Sequence, residues 1–456
     1  MPDGPVAALD IGKTHSRLTL IDPETGHELW CARCPSRSKA TSCGLQLDVS
    51  GVEHWLIEAL RNASAKYGIA CIVPIAHGAA AVLLDEQGNV LIAPDYEDAR
   101  FSAASEAYEP LRDPFESTFS PSLPLGLNVG RQLFYLANHE PALFSRMASI
   151  VLYPQFWAWR LSGMLASEVT SLGCHSDLWL PRERSFSNLA VSQGWDGCFP
   201  PLQFAGQVLG NAIGPIATAA GLSPECQVVC GIHDSNASFL RHLAQRRDRR
   251  FAMLSSGTWT VAMANQGRFD GLLPGHDRLA NVDAFGRCVP TARFMGGREY
   301  EIIAQTSDPP TRDAVIRVIR GGIMALPSFA VAGPFARSTG RVLGAFGLRD
   351  AERASLATLY VALMSDYQLD ALIGDDDVVI DGPLAANPMF AAVLAGLRPQ
   401  RKVLVDRSAS LAIAACYVAG RMQDAPLRVD TVEPWEPGLL ERYRNRWRDL
   451  IASDLK

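Results

Sequence analysis

Acids, hydroxyls and glycines crowd into a few short stretches of this sequence. The first is "ALDIGKTHSR", residues 8–17, where an apolar run stops at Asp10 and resumes at Leu18. Between them stand Gly12, Lys13, Thr14 and Ser16. Glycine permits close backbone approach and positive φ. Successive backbone N–H groups in such a turn can form a nest for an anion. Lys13 adds a cation, and Asp10 at a strand end suits a hydrated divalent metal. Phosphate chemistry is therefore the candidate. The stretch is not a P-loop: the upstream glycine of G-x-x-x-x-G-K-[ST] is missing, and a strand follows instead of a helix. An ordinary polar hairpin is the plain alternative, because turns select Gly, Asp and Thr anyway.

Four further stretches carry similar chemistry. "SSGT", residues 255–258, repeats the layout of the first turn, with Gly257 and Thr258 as phosphate candidates. "GIHDSNAS", residues 231–238, puts Asp234 at a strand end entering a helix, where α/β sheets bind ligands. A carboxylate there could take a proton from a hydroxyl, or it could simply cap the helix. His233 beside it is equally ambiguous. "IAHG" ends at His77 and Gly78, and "YEDAR" follows at 96–100 with Asp98. Both suit hydrogen bonding to a polar ligand, or a satisfied core histidine and a solvated loop. Finally, "DGPLAANP", 381–388, runs from a strand into a helix. Gly382 and its small neighbours leave room for a flat adenine or ribose, and Asn387 could serve a ligand or cap the helix.

The elements that must position these residues read as alternating strands and helices. Residues 6–9 and 18–22 form a strand pair joined by the polar turn, and 27–33 a third strand. Residues 52–67 show helical spacing, and 70–76 a buried strand. A hairpin spans 81–85 and 90–93. Residues 94–130 read as loops and short helices, and 131–165 as helix broken at Pro154. A strand at 227–232 leads into a helix capped by Asp234 or Ser235. "DDDVVIDG" is a capped strand, 388–397 a helix and 406–421 a second helix. "AALDIGKTHSRLTL" and "AMLSSGTWTVAMAN" share one layout, which fits two related halves, each presenting one glycine turn that grips a polyphosphate. "RRDRR", 246–250, reads as the connection between them.

The 456 residues favour two or three domains. A net charge of −6 argues against a nucleic-acid surface. No basic leader and no run of about 18 apolar residues is visible, so a cytoplasmic protein without a membrane span is expected. Cys31 and Cys34 have metal spacing but no second pair, so reduced thiols are the better reading.

Taken in order, these stretches resemble the FGGY family of carbohydrate kinases, from Asp10 to about Tyr417. "DIGKTHSR" is similar to the family's D-x-G-T-T-x-S-R, with Lys13 in place of a threonine. "GIHDSNAS" resembles the G-x-x-D segment of the catalytic base, and "SSGTW" the second phosphate motif in its rhamnulokinase form. "AHGAAAVLLDEQGNVL" is similar to the xylulokinase "MHG" strand, and "YEDAR" occupies the place of W-N-D-x-R. The adenosine motif departs: Pro383 and Leu384 replace two glycines, and the G-E-R-x-P segment is absent.

The resemblance implies an α/β, actin-like (ribonuclease H-like) ATPase fold, with two related domains around a central cleft. Residues 1–245 would hold the sugar site and the first phosphate motif, and residues 246–456 the second phosphate motif and the adenosine site. It implies transfer of the γ-phosphoryl group of ATP to a hydroxyl of a rhamnulose-, fuculose- or xylulose-like ketose, or of a polyol. Asp234 would be the catalytic base. Gly12, Lys13, Thr14, Gly257, Thr258, Gly382 and Asn387 would bind ATP, and His77, Asp98, His233 and Asp234 the sugar. Asp10 and Asp234 would hold Mg2+ through water. Sugar and ATP are the implied partners, with a homodimer as the implied assembly. The alternatives are a catalytically weak sugar or nucleotide sensor and a chaperone-like ATPase of the same superfamily.

Overall fold

The computed structural model describes all residues except 1–2, 247, 331, 336, 345–346, 375, 408–409, 423–427 and 455–456. The chain forms two compact units. The first comprises residues 1–245 together with 280–288 and 410–425, and the second comprises the remainder. The two later segments of the first unit interrupt a simple division into contiguous halves.

The first unit is built on β1 (Val6–Ile11), β2 (His15–Ile21), β3 (Glu28–Pro35), β4 (Cys71–Ala76), β5 (Val208–Asn211), β6 (Gln227–Val229) and β7 (Ile232–His233). The order across the sheet is β5-β6-β4-β1-β2-β3, with β7 also pairing β4. Strand β1 runs antiparallel to β2 and parallel to β4. Side chains alternate across β1 as a pleated strand requires. Ala7, Leu9 and Ile11 join one core with Leu18, Leu56, Leu60, Phe156 and Trp157. Val6 and Ala8 join another with Val73, Ile75, Ile232, Ala237 and Ala415.

Helices α1 (Val49–Ser64), α2 (Tyr153–Ser162) and α3 (Asp234–Gln245) cover the two faces. α1 begins three residues before the periodicity suggests, because Asp48 accepts the Gly51 N–H at 2.8 Å. Pro154 does not break a helix. It lies in the first turn of α2, where its missing N–H costs nothing. The 131–165 stretch, read as helix broken at Pro154, also contains a strand, Ser149–Leu152, paired with Ala81–Leu84.

The second unit contains β8 (Phe251–Ser256), β9 (Thr260–Asn265), β10 (Cys288–Phe294, in this unit from Val289 on), β11 (Asp377–Asp381), β12 (Val403–Asp406) and β13 (Val429–Val432). These lie in the order β10-β9-β8-β11-β12-β13. β8 is antiparallel to β9 and parallel to β11. The run β11-β8-β9-β10 therefore repeats the run β4-β1-β2-β3, as the sequence echo suggests. Helices α4 (Asp350–Leu372) and α5 (Pro388–Leu397) belong to this unit.

The helix read over 406–421 is shorter, and a strand that was not read ends where it was expected to begin. Val403–Asp406 is the buried strand β12, and the helix is Leu411–Val418, started by Ser410 accepting the Ile413 N–H at 3.1 Å. A short apolar run such as "VLVD" does not distinguish strand from helix.

Candidate active site

Three strand ends assemble the site of the first unit. In β1, Asp10 pairs with Ile75 of β4, and on β4's other side Ile232 of β7 pairs with the same Ile75. All three strands are parallel, so Asp10, His77 and Asp234 emerge at the same carboxyl-terminal edge. Ligands of open α/β sheets bind at such an edge.

The approach to Asp234 depends on a break in the sheet. Pro74 has no N–H to donate, so a regular neighbour on both sides is excluded. Strand pairing with β4 stops after Val228 and resumes at Ile232. Gly231 fills the gap with φ +88°. The Gln155 amide donates to the carbonyls of Cys230 and Gly231, both at 3.2 Å, which satisfies the exposed backbone.

Asp234 opens α3, and its side chain is one-third exposed. One oxygen, Oδ1, accepts from Ser235 N at 2.5 Å and Ser235 Oγ at 3.2 Å. His233 Nε2 lies 3.3 Å from that oxygen and 3.7 Å from Cys174 Sγ. Burial works against a charge on His233, but Cys174 and Asp234 outweigh it and hold the imidazole at about 9. Asn236 faces Nδ1 at 3.3 Å and its Oδ1 is otherwise without a partner; flipping that amide supplies the acceptor a doubly protonated ring needs. The His233 backbone N–H donates to Thr170 Oγ1 at 3.1 Å, and the Thr170 hydroxyl in turn donates to Glu168. Glu168 is fully buried, and burial pushes it up to about 7.

Asp10 is raised to about 7, by burial first and the Asp234 charge second, with Arg17 pulling the other way. The hairpin after it is fixed from behind. Ser36 Oγ donates to the Gly12 carbonyl at 2.8 Å, and Ser36 N to the Thr14 carbonyl at 2.9 Å. Thr14 is exposed. Lys13, expected over phosphate, is turned elsewhere: its ammonium pairs with Asp95 and lies 3.2 Å from Glu97.

His77 is buried, and burial keeps its imidazole neutral. Its Nδ1–H donates to the Gly78 carbonyl at 2.9 Å, leaving Nε2 as an acceptor. Tyr96 meets it edge-on, with ring centroids 5.9 Å apart. Asp98, expected at the sugar, is committed to the protein. It accepts from Leu45 N at 2.8 Å, Arg100 N at 3.0 Å and Arg100 Nε at 3.0 Å.

In the second unit, the Ser255–Thr258 turn and the 381–384 turn are stitched together. Ser256 Oγ donates to the Asp381 carbonyl at 3.1 Å and accepts from Leu384 N at 2.8 Å. Gly382 has φ +76°, and a β-carbon there would stand 2.4 Å from the Ser256 carbonyl oxygen. Gly257 and Thr258 are exposed at the tip. Asn387 spends its oxygen capping α5, accepting from Met389 N and Phe390 N, both at 3.1 Å. Its amide reaches Thr358 at 3.3 Å. Ala385, Pro388, Ala391 and Ala392 line a cavity of about 290 Å³ together with Arg312 and Trp435.

Sequence reading missed the supports of the site. Asp95, Glu168, Thr170 and Cys174 carry no local motif, and Tyr96 opens "YEDAR", where the expectation fell on Asp98. Gly297 had a signal, a glycine pair opening the helix Gly296–Ala304. It packs against the phosphate turn so closely that a β-carbon would lie 2.1 Å from the Gly257 carbonyl oxygen.

Comparison with known proteins places the chain in a family. Residues 248–426 match the family model described as carbohydrate kinase FGGY, C-terminal domain. A carbohydrate kinase from Novosphingobium aromaticivorans is 35% identical, with a TM-score of 0.88 and 99% of each chain covered. An L-fuculokinase of Haemophilus influenzae is 28% identical over 176 residues, 37% of this chain and 36% of that protein. A rhamnulokinase of an Enterobacter species is 28% identical over 190 residues, 40% of this chain and 36% of that protein. These matches span about a third of the curated relatives' length. The fold is the actin-like ATPase fold, and the chain belongs to the FGGY carbohydrate kinase family. Among the described residues no helix is long and apolar enough to cross a membrane.

Proposed function

We propose that the protein is an ATP-dependent carbohydrate kinase. It transfers the γ-phosphoryl group of ATP to a hydroxyl of a ketose or polyol, with a rhamnulose-, fuculose- or xylulose-like ketose as the first candidate. The observation that carries this reading is the convergence of Asp10 and Asp234 on one sheet edge, in a chain of this family. The "SSGTW" form of the second turn and the fuculokinase and rhamnulokinase relatives support a deoxyketose.

Phosphoryl transfer needs positioning and charge neutralisation more than covalent chemistry. Asp234 accepts the proton of the attacking hydroxyl. Its Oδ1 is held by Ser235 and His233, so the carboxylate presents a fixed face. His77 Nε2 accepts from a sugar hydroxyl. Gly12 and Thr14, and in the second unit Gly257 and Thr258 beside Gly382, bind phosphate.

Magnesium fits the acids present. Two carboxylates crowd one edge, and the burial and charge that raise Asp10 are what a cation relieves. Among the described residues no group of three or more metal-binding side chains occurs. That suits an ion held by one or two carboxylates, water and substrate phosphates. Asp10 and Asp234 would hold it, and it would supply neutralisation of the developing phosphate charge. The reading extends to a cytoplasmic homodimer, supported by the family resemblance.

The test is ADP release from magnesium-ATP across a panel of ketoses and polyols, beside Asp234→Ala. Release stimulated by one sugar and lost in the variant is the expected result. Sugar binding without turnover would favour a sensor instead, a reading that the helix-capping role of Asn387 and the altered adenosine turn keep specific.

A further inference from the structure

Lys13 stands where the family pattern has a threonine, and its surroundings are not those of a phosphate ligand. Its ammonium pairs with Asp95, lies 3.2 Å from Glu97 and 3.5 Å from Ser38 Oγ, and sits 5.0 Å above the Tyr96 ring. Asp95 is wholly buried. Its other acceptors are also taken: Ser38 Oγ donates to Oδ2, and Glu97 N to Oδ1 at 2.9 Å. Two carboxylates already balance the one cation. Little positive charge is left to offer a phosphate, and withdrawing Lys13 would strand a buried anion.

The loop that Lys13 grips belongs to the surroundings of Asp234. Tyr96 packs edge-on against His77, and both feel the Asp234 charge. Backbone bonds fasten the loop on the far side: Asp95 N donates to Leu45 O at 3.0 Å, and Gly126 N to Tyr96 O at 2.9 Å. On the near side, Lys13 is the side chain that ties it to the Gly12–Thr14 turn.

We propose that Lys13 is a positioning residue: through Asp95 it locks the Tyr96 loop against the phosphate hairpin and so sets the wall that the acceptor sugar meets. The proposal rests on the kinase reading above. Its signature is a defect in sugar recognition, with ATP use largely spared.

The experiment compares Lys13→Met, Asp95→Asn, the double variant and Lys13→Arg. Lys13→Met should raise KM for the sugar about tenfold while KM for magnesium-ATP stays within about twofold. Asp95→Asn should do the same, and the double variant should be no worse than either single change, because both cut one link. Lys13→Arg should recover part of the loss. A raised KM for ATP with normal sugar KM, or additive effects in the double variant, overturns the proposal. Hydrogen exchange of residues 95–98 gives a readout that needs no turnover. Protection should fall in Lys13→Met, and unchanged protection overturns the proposal. Absence of sugar-stimulated release in the wild type sinks the kinase reading alone.

Discussion

Gly231 lies directly against Pro74. A β-carbon on residue 231 would stand 2.6 Å from the Pro74 carbonyl oxygen, and the glycine holds φ +88°. One residue cannot donate to a neighbouring strand, and the other is the only type that fits the resulting gap. Asp234 follows three residues later, so its position inherits this local geometry.

Gly231→Ala meets both a steric clash and a disfavoured φ. It should lower stability by at least about 2 kcal/mol and reduce sugar-stimulated turnover in the surviving folded protein. Thermal unfolding and activity per folded molecule check this. A variant as stable and as active as wild type would show that the break does not need glycine.

Asp234→Asn keeps the shape of the side chain but removes its basicity. Sugar-stimulated ADP release should drop by about 10²–10⁴-fold, the usual worth of a general base. Sugar affinity by calorimetry should change far less. A drop below tenfold would assign the proton to another group.

Glu168 gives the stability curve a pH dependence. Burial raises its folded value to about 7 from the ordinary 4.5, against the pull of Thr170. The folded state therefore binds the proton more tightly than the unfolded chain. Its contribution is complete below about pH 4.5 and is lost as pH rises through about 7. The loss is on the order of 3 kcal/mol. Glu168→Gln should flatten the fall in unfolding temperature between pH 5 and pH 8. Parallel curves for variant and wild type would show that Glu168 does not titrate in that window.

Gly382→Ala tests the second unit. With φ +76° and a β-carbon 2.4 Å from the Ser256 carbonyl, the 381–384 turn must move away from the 255–258 turn. KM for magnesium-ATP should rise about tenfold with sugar KM little changed. An unchanged ATP KM would separate this turn from nucleotide binding.

Much of the site was legible because its chemistry is local. A carboxylate at a strand end, a glycine turn after it, and a second copy of that layout 245 residues later are visible in "LDIGKT" and "LSSGTW". Their hairpins formed as read, because strand alternation and turn residues are properties of neighbouring positions. The partnerships were not legible. Lys13 looks like a phosphate ligand until Asp95, 82 residues away, is folded beside it. Asp98 and Asn387 look like ligand contacts until the backbone groups that occupy them are in place. Glu168, Thr170 and Cys174 have no motif, since their meaning comes wholly from standing next to His233. The sequence by itself determined the two glycine hairpins and the strand ends that Asp10 and Asp234 leave, though not every strand, since Ser149–Leu152 read as helix. Only the tertiary structure decided which of those side chains keep free hydrogen-bonding groups and which are used up holding the protein together. The physical reason is that a polar group's role depends on who satisfies its hydrogen bonds, and most of those partners are distant in the chain.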